Sequence, residues 1–537
     1  MSAGGGGGGP AEEGVATGRR RGGVVPAAAF AILLGLVLRL YRLGAKPFWL
    51  DEVTTLHRAA LPLPAMVRDS LAFHHLPTWF VISSPFLGFG SGEVALRLPA
   101  ALFGALSCGL VAVVAGELAG EAAGPAAALL GGLLMAASPM EVQYGQEARS
   151  YTLVICCVLL AVHGLLRLLR VPERAALPWR RCPERGAWGC YVAGTLFGLL
   201  VLGVAIWWWL IANLAVGAAA RCGRRTAPLP RAFGRRWLLV QAAIGAAATP
   251  GFAAMAVLVE RAHGTFRSGL DWIPPLSWHH VGVALGALYG LRVSSLIADR
   301  LFASPVPWFG VAVPLLAIAG AAWLLRRGAV AERRAAVALL ATTVSLPAAT
   351  ALVSVAVPLF MPRYLLWGTG PFLVLAGTGL AALPRRTRWA AGLLVCAAAL
   401  VNLLPYYRTE TKPRWEVAAR MLDQRLRPGD ELLIADPGAV DMMNVFLARR
   451  GAAIPRALWT ADVAEASCAL GAGRRVWAVF GRVGQVDHED LSRFQADIAP
   501  LGPPLARVGV GMDITLMLFE PPGGGSTAAA DPDGMRC

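Results

Sequence analysis

Apolar runs of about 18 to 24 residues recur along most of this chain, each long enough to cross a hydrocarbon core of about 30 Å as a helix. A backbone in that medium must satisfy its own hydrogen bonds, so only helices or closed barrels are open to it. Runs of this length without two-residue alternation select helices. Composition agrees: 56% of residues are hydrophobic and 15% charged, against roughly 25% charged in a soluble domain. About eleven spans are expected, near residues 24–43, 94–115, 122–140, 148–168, 187–203, 204–220, 237–258, 306–325, 335–357, 365–383 and 389–405.

The linkers set orientation. Arg19, Arg20 and Arg21 precede the first run, which is read as a retained span. "RLLRVPERAALPWRRCPER" (167–185), "RCGRRTAPLPRAFGRR" (221–236), "RRGAVAERR" (326–334) and "PRRTR" (384–388) separate later runs. Short arginine-rich loops stay cytoplasmic, and with that count all of these fall on one side. Segments 44–93, 141–147, 259–305 and 358–364 then face the other side, together with the C-terminal region. A further run, "HHVGVALGALYGLRVSSLIADRL" (279–301), carries Arg292, Asp299 and Arg300 and is read as re-entrant or interfacial. The net charge of +16 sits in these scattered clusters rather than on one basic face, which argues against nucleic acid as a partner. The cysteines show no zinc-ligand spacing.

Residues 1–23 are glycine-rich and read as a disordered cytoplasmic N-terminus; 24–405 form the transmembrane domain, with 44–93 as its long external loop. Beyond 406 the pattern changes: "RWEVAARMLDQRLRPGDELLIADPG" reads as amphipathic helix, turn and strand, and "RRVWAVFG" (474–481), "HEDLSRFQADIA" (488–499) and "ITLMLFE" (514–520) continue the alternation. Residues 406–522 are therefore expected to form an extracytoplasmic α/β domain, and 523–537 a disordered tail. The fold class expected is an all-α polytopic membrane protein with a small C-terminal α/β domain.

The external segments concentrate polar chemistry. "KPFWLDEVTTLHRAA" (46–60) sets Asp51 beside Glu52, either as caps of an interfacial helix or as acid–base groups. His74 and His75 are loop histidines or metal ligands, and Arg97 is expected to anchor a span end and pair with Glu93 one turn earlier. "SPMEVQYGQEARSYTL" (138–153) crowds Glu141, Tyr144, Gln146, Glu147, Arg149 and Tyr151 into a tight turn at a helix start, a setting suited to a phosphate. "LFMPRYLLW" (359–367) adds Arg363 and Tyr364 at the rim of another span. The two arginines either snorkel to headgroups or bind an anion. Trp207, Trp208 and Trp209 form an aromatic belt or a platform for a sugar ring. A carboxylate base and positive charge at one depth on one face would together meet the needs of glycosyl transfer from a lipid phosphate.

In order, "LRLYRLGAKPFWLDEVTTL", "HHLPTWFVISSPFLGFGSGEVALRLPAALFGAL", "EVQYGQEARSYTL", "MPRYLLWGTGPFL" and "PRWEVAARML" resemble the GT-C integral-membrane glycosyltransferases, in particular the bacterial family related to protein O-mannosyltransferases and lipid A aminoarabinose transferases. The resemblance implies a polyprenyl-phosphate-linked sugar donor and inverting transfer to a glycan, lipid or protein acceptor on the outer face of a bacterial cell membrane. It implies catalytic roles for Asp51 and Glu52. Arg149 and Tyr151 match a Q-x-x-R-x-Y element, Arg363 and Tyr364 an R-Y element, and donor-phosphate contact is implied for these four. His74, His75, Arg97, Tyr144, Gln146 and Glu147 are further substrate-binding candidates. His-Leu-Pro stands where the family has His-Pro-Pro, and a divalent cation, Mg²⁺ or Mn²⁺, is left open. A lipid-linked-sugar transporter or flippase and a non-catalytic glycan-binding membrane protein are the alternatives.

Overall fold

A computed structural model describes residues 23–222, 224, 227–264, 273–295, 300–327, 329–434, 436–451, 459–460, 462–481, 489–511 and 514–521. The two terminal tails and Asp299 lie outside the described residues.

After the first membrane helix, α1 (Val24–Leu40), the long loop folds into three short helices, α2 (Leu50–Ala60), α3 (Leu63–Ala72) and α4 (Thr78–Ser83), followed by a 3₁₀ turn. α5 (Glu93–Ala137) follows, then the two-turn α6 (Pro139–Gly145) and α7 (Tyr151–Arg170). The membrane domain continues with α8 (Arg185–Val201), α9 (Ile206–Cys222), α10 (Arg231–His263), α11 (Trp278–Leu288), α12 (Phe309–Arg326), α13 (Val330–Ser354), α14 (Thr369–Ala382) and α15 (Arg385–Arg408). Among the described residues seven helical segments are long and apolar enough to cross a bilayer. The chain is a multi-pass membrane protein.

At 1.5 Å per residue the 45 residues of α5 would run about 68 Å, more than twice a bilayer core. The helix instead breaks at Gly120, whose φ of 75° and ψ of −176° suit only glycine. This falls between the two spans expected at 94–115 and 122–140. Cations hold the carbonyls freed at the break: Arg170 donates to Glu117 O at 2.7 Å and Arg327 to Ala119 O at 2.8 Å.

α1 packs along α5, α5 against α7 and α14, α7 against α8, and α12 against α14. Small residues permit this closeness, as lipid-immersed helices require. A Cβ at Gly320 would stand 2.0 Å from Leu375 O, and one at Gly379 2.0 Å from Leu316 O. Trp208 is neither belt nor platform: it is buried in this core, donating to Thr195 Oγ1 at 3.0 Å and meeting Trp367 edge to face. Among the described residues, the helix in the run at 279–301 is α11, whose 11 residues span about 16 Å, half the hydrocarbon thickness. The run then folds back through a Ser294–Leu301 bridge.

Beyond α15 come α16 (Trp415–Asp423), β1 (Glu431–Leu433), α17 (Pro437–Ala448), β2 (Trp459–Thr460), α18 (Val463–Gly471), β3 (Val476–Gly481), α19 (Glu489–Asp497), β4 (Ala506–Val510) and β5 (Ile514–Phe519). The sheet order is β2-β1-β3-β5-β4, parallel on the β1 side and antiparallel at β5. One apolar core joins this sheet to the membrane domain: Phe48, Val53, Leu96 and Ala148 share it with Trp415, Met442, Met443 and Trp477. Fully burying a side chain such as Phe48 contributes roughly 1.5–3 kcal/mol, so the C-terminal domain clamps the linker and loops that carry the polar residues described next.

Candidate functional site

α2 starts at Leu50 behind Trp49, an extended N-cap residue with no side-chain cap bond, so neither acidic residue serves as the cap. Asp51 and Glu52 sit in its first turn, where the helix dipole favours negative charge. Adjacent helical positions diverge by about 100°. That angle gives the two carboxylates different fates.

Glu52 points inward and is fully buried. It accepts from Arg97 Nε at 2.7 Å, Arg97 Nη2 at 2.8 Å, Lys412 Nζ at 2.8 Å and Ala148 N at 2.9 Å. Arg97 spends its remaining donors on Leu43 O, Lys46 O and Pro47 O at 2.9, 2.9 and 3.0 Å. Burial alone would raise the Glu52 carboxyl, but Arg97 and Lys412 outweigh it and hold it down at about 2. Every oxygen is committed. The catalytic role expected of Glu52 gives way to a positioning one: this carboxylate ties α2, α5, the 146–150 turn and the Lys412 linker together. The expected Glu93–Arg97 pair does not form either, because Arg97 is turned to Glu52 while Glu93 binds Arg449 at 2.7 Å.

Asp51 has a different environment. Its side chain keeps 26% exposure, and its Oδ2 lies 3.4 Å from Arg363 Nη1 and 3.6 Å from Arg149 Nε. Both distances exceed the 2.7–2.9 Å typical of a tight charge-assisted bond. Burial raises its carboxyl, yet the Arg149 and Arg363 charges prevail and hold it below the usual carboxylate range. Three distant segments thus meet at one oxygen: α2, the turn before α7, and the Pro362–Tyr364 3₁₀ turn.

The arginines are held from behind. Arg363 lies over the rings of Trp49 and Tyr364, 5.6 Å from each centroid. Arg149 lies near Tyr151, which meets Tyr144 edge to face at 5.0 Å. His75 Nδ1 stands 2.6 Å from Phe73 O and 3.1 Å from Arg58 Nη1, and its Nε2 3.2 Å from Arg149 Nη2. Burial and the Arg149 and Arg58 charges push its pKa down to about 3, so the ring is neutral. With Nδ1–H donating to Phe73 O, Nε2 accepts from Arg149. His74 forms the turn that delivers it, at a left-handed φ of 61°.

Two more candidates take other places. Gln146 donates to Arg39 O and Tyr41 O at 2.8 and 2.7 Å, closing the end of α1. Glu147 is fully buried with neither carboxylate oxygen hydrogen-bonded. Burial, opposed by Lys412 and reinforced by Glu52 and Asp51, pushes its carboxyl up to about 7.

The sequence reading missed Lys412, Trp49 and Arg58. Lysine identity was the available signal: the chain has only two lysines among 49 basic residues. A divalent cation does not suit this donor set. Asp51 faces two guanidinium groups, Glu52 is spent on Arg97 and Lys412, and among the described residues no group of three or more His, Cys, Asp or Glu is placed to hold a metal.

No protein-family model matches the chain, and no curated protein does. Solved structures do match. ArnT from Cupriavidus metallidurans bound to undecaprenyl phosphate superposes over 93% of this chain and 98% of that one, with 15% identity and a TM-score of 0.57. The chain has the GT-C fold. Apo ArnT gives the same picture at a TM-score of 0.56, over 92% of this chain and 97% of that one, also at 15% identity. A second GT-C structure, AglB of Archaeoglobus fulgidus in complex with an inhibitory peptide and a dolichol-phosphate, matches 79% of this chain and 63% of its own, with 12% identity and a TM-score of 0.50.

Proposed function

We propose that this chain is a membrane glycosyltransferase that moves a sugar from a polyprenyl-phosphate donor to a hydroxyl acceptor on the extracytoplasmic face, with inversion at the anomeric carbon. The observation that carries this reading is the sharing of one partly exposed carboxylate, Asp51, between two buried guanidinium groups at 3.4 and 3.6 Å. The fold supports it, since ArnT and AglB have been solved with polyprenyl-type phosphates.

The mechanism proposed is an ordered one. Without donor, Arg149 and Arg363 hold the Asp51 carboxyl down and make it a poor base. A donor phosphate draws those guanidinium groups onto its own oxygens, which releases Asp51 and raises its basicity as the local charge is neutralised. The acceptor oxygen then attacks the anomeric carbon on the side opposite the phosphate. The bond from that carbon to the phosphate oxygen breaks with its electron pair left on the phosphate, and Asp51 takes the acceptor's proton. The exposed side of Asp51 returns that proton to water.

The test is transfer from radiolabelled polyprenyl-phosphate mannose to a panel of acceptors by the purified full-length protein, beside Asp51→Asn. Loss of a general base costs about 10² to 10⁴ in rate, so the variant should fold, bind lipid phosphate and leave the acceptors unlabelled. Equal labelling by the variant refutes the assignment of Asp51. Phosphate-lipid binding with no labelled acceptor in the wild type supports a carrier instead.

A further inference from the structure

The two lysines of the chain, Lys46 and Lys412, each precede a proline and come from opposite ends of the membrane domain. They line one cavity of about 360 Å³, between the linker that joins α1 to α2 and the one that joins α15 to α16. Arg42, Arg408 and Arg414 line it as well, and Glu410 is the carboxylate among its lining residues. Glu410 is bound to Arg414 at 2.6 Å. Lys412 shares Glu52 with Arg97, and Arg414 is held between Glu410 and Glu416, so the positive charge left for a ligand is carried by Arg42, Lys46 and Arg408. Lys46 shows the strain of this excess. Burial and the Lys412, Arg97 and Arg42 charges lower its ammonium pKa to about 7, although it donates to Thr409 O at 2.7 Å and Thr411 Oγ1 at 2.9 Å. None of Asp51, Arg149 and Arg363 lines this cavity.

The cavity opens where two membrane helices end. Tyr41 and Tyr407 meet edge to face at 5.1 Å beside it, and Arg42 donates to Tyr407 O at 3.3 Å. Leading away from that end are two stripes of exposed apolar side chains, Leu33, Val37 and Leu40 on α1 and Leu393, Leu400 and Leu404 on α15. Their helical spacing presents them to lipid. A compact basic cavity above lipid-facing stripes has the form of a headgroup site.

We infer that this cavity binds the phosphate of an anionic glycerophospholipid, with the acyl chains against α1 and α15, as a second anion site separate from the Asp51 centre. Phosphate is the recognised chemistry, donated to by arginine forks and by the lysine ammonium groups. The inference does not depend on the proposed glycosyl transfer.

The experiment uses full-length protein in detergent, with bound lipid counted by native mass spectrometry and stability followed by thermal melting. Phosphatidylglycerol should be retained and should raise the melting temperature, whereas phosphatidylcholine should do neither. Arg42→Gln with Arg408→Gln removes two charges that contact neither Glu52 nor Asp51, and should weaken phosphatidylglycerol binding by about tenfold per lost charge-assisted contact. Arg408→Gln alone, at an exposed side chain, carries the same test should the double variant misfold. Asp51→Asn should bind phosphatidylglycerol like the wild type whatever its transfer activity. Undiminished phosphatidylglycerol binding by the charge variants, or equal retention of phosphatidylcholine, overturns the inference. A full stabilising effect from inorganic phosphate alone assigns the site to a free anion and overturns the lipid reading.

Discussion

Glu52→Gln separates the two adjacent carboxylates most sharply. The glutamine keeps one carbonyl oxygen for Arg97 Nε and Ala148 N. Its amide group, however, faces Arg97 Nη2 and Lys412 Nζ, donors against donors, where the carboxylate had accepted both at 2.8 Å. Two buried cations lose their counter-charge, and breaking a buried pair typically costs about 3–5 kcal/mol. The pKa shift gives a second route to the magnitude. A carboxyl moved from its ordinary 4.5 to about 2 contributes about 3 kcal/mol to the folded state. Because the folded-state value is the lower one, that contribution is present above about pH 4.5 and is lost as pH falls towards 2. A polytopic protein does not unfold in one step, so melting midpoints rank the variants without conversion to free energy. The variant should melt well below the wild type at neutral pH, and the gap should narrow as pH drops from about 4.5 towards 2. Wild-type melting across that range, or a gap that ignores pH, would show that Glu52 does not hold the junction together.

Arg363→Lys keeps the charge but loses the planar fork and the stacking on Trp49 and Tyr364; polyprenyl-phosphate affinity should fall by about tenfold or more, with melting unchanged, and equal affinity would refute a donor contact. The acid limb of kcat should lie at higher pH than that of kcat/KM, because free protein holds Asp51 below the usual carboxylate range while bound phosphate relieves the pull; superimposed limbs would refute the release of Asp51 by donor. Gly379→Ala would place a Cβ 2.0 Å from Leu316 O and should destabilise the α12–α14 contact by about 1–3 kcal/mol. Gly186→Ala, which meets nothing within 4 Å, is its control, and equal melting of the two would refute the close packing.

Much of the architecture was legible because a bilayer imposes one length. The runs at 306–325 and 389–405 became Phe309–Arg326 and Arg385–Arg408 with shifts of a few residues, since the medium reads apolar length and little else. The separation of the second and third spans was legible as the interval between 115 and 122 for the same reason, and the structure puts the break at Gly120 within it. The arginines of the candidate centre were legible as charges at helix rims, and Asp51 as an acid beside them. The division of labour within the Asp51–Glu52 doublet was not. Nor was the fate of Trp208, because an interfacial belt and a buried core demand the same residue type.

By itself the sequence determined the medium, the approximate spans, the change to an α/β pattern after the membrane domain, and the concentration of acids and arginines in a few linkers. Only the tertiary structure decided which of two neighbouring carboxylates stays available. About 100° of helical phase sends Glu52 to Arg97 and Lys412 and Asp51 to Arg149 and Arg363. Local pattern fixes that phase, but the partners arrive from distant segments, and their approach depends on close helix packing and on the core shared with the sheet.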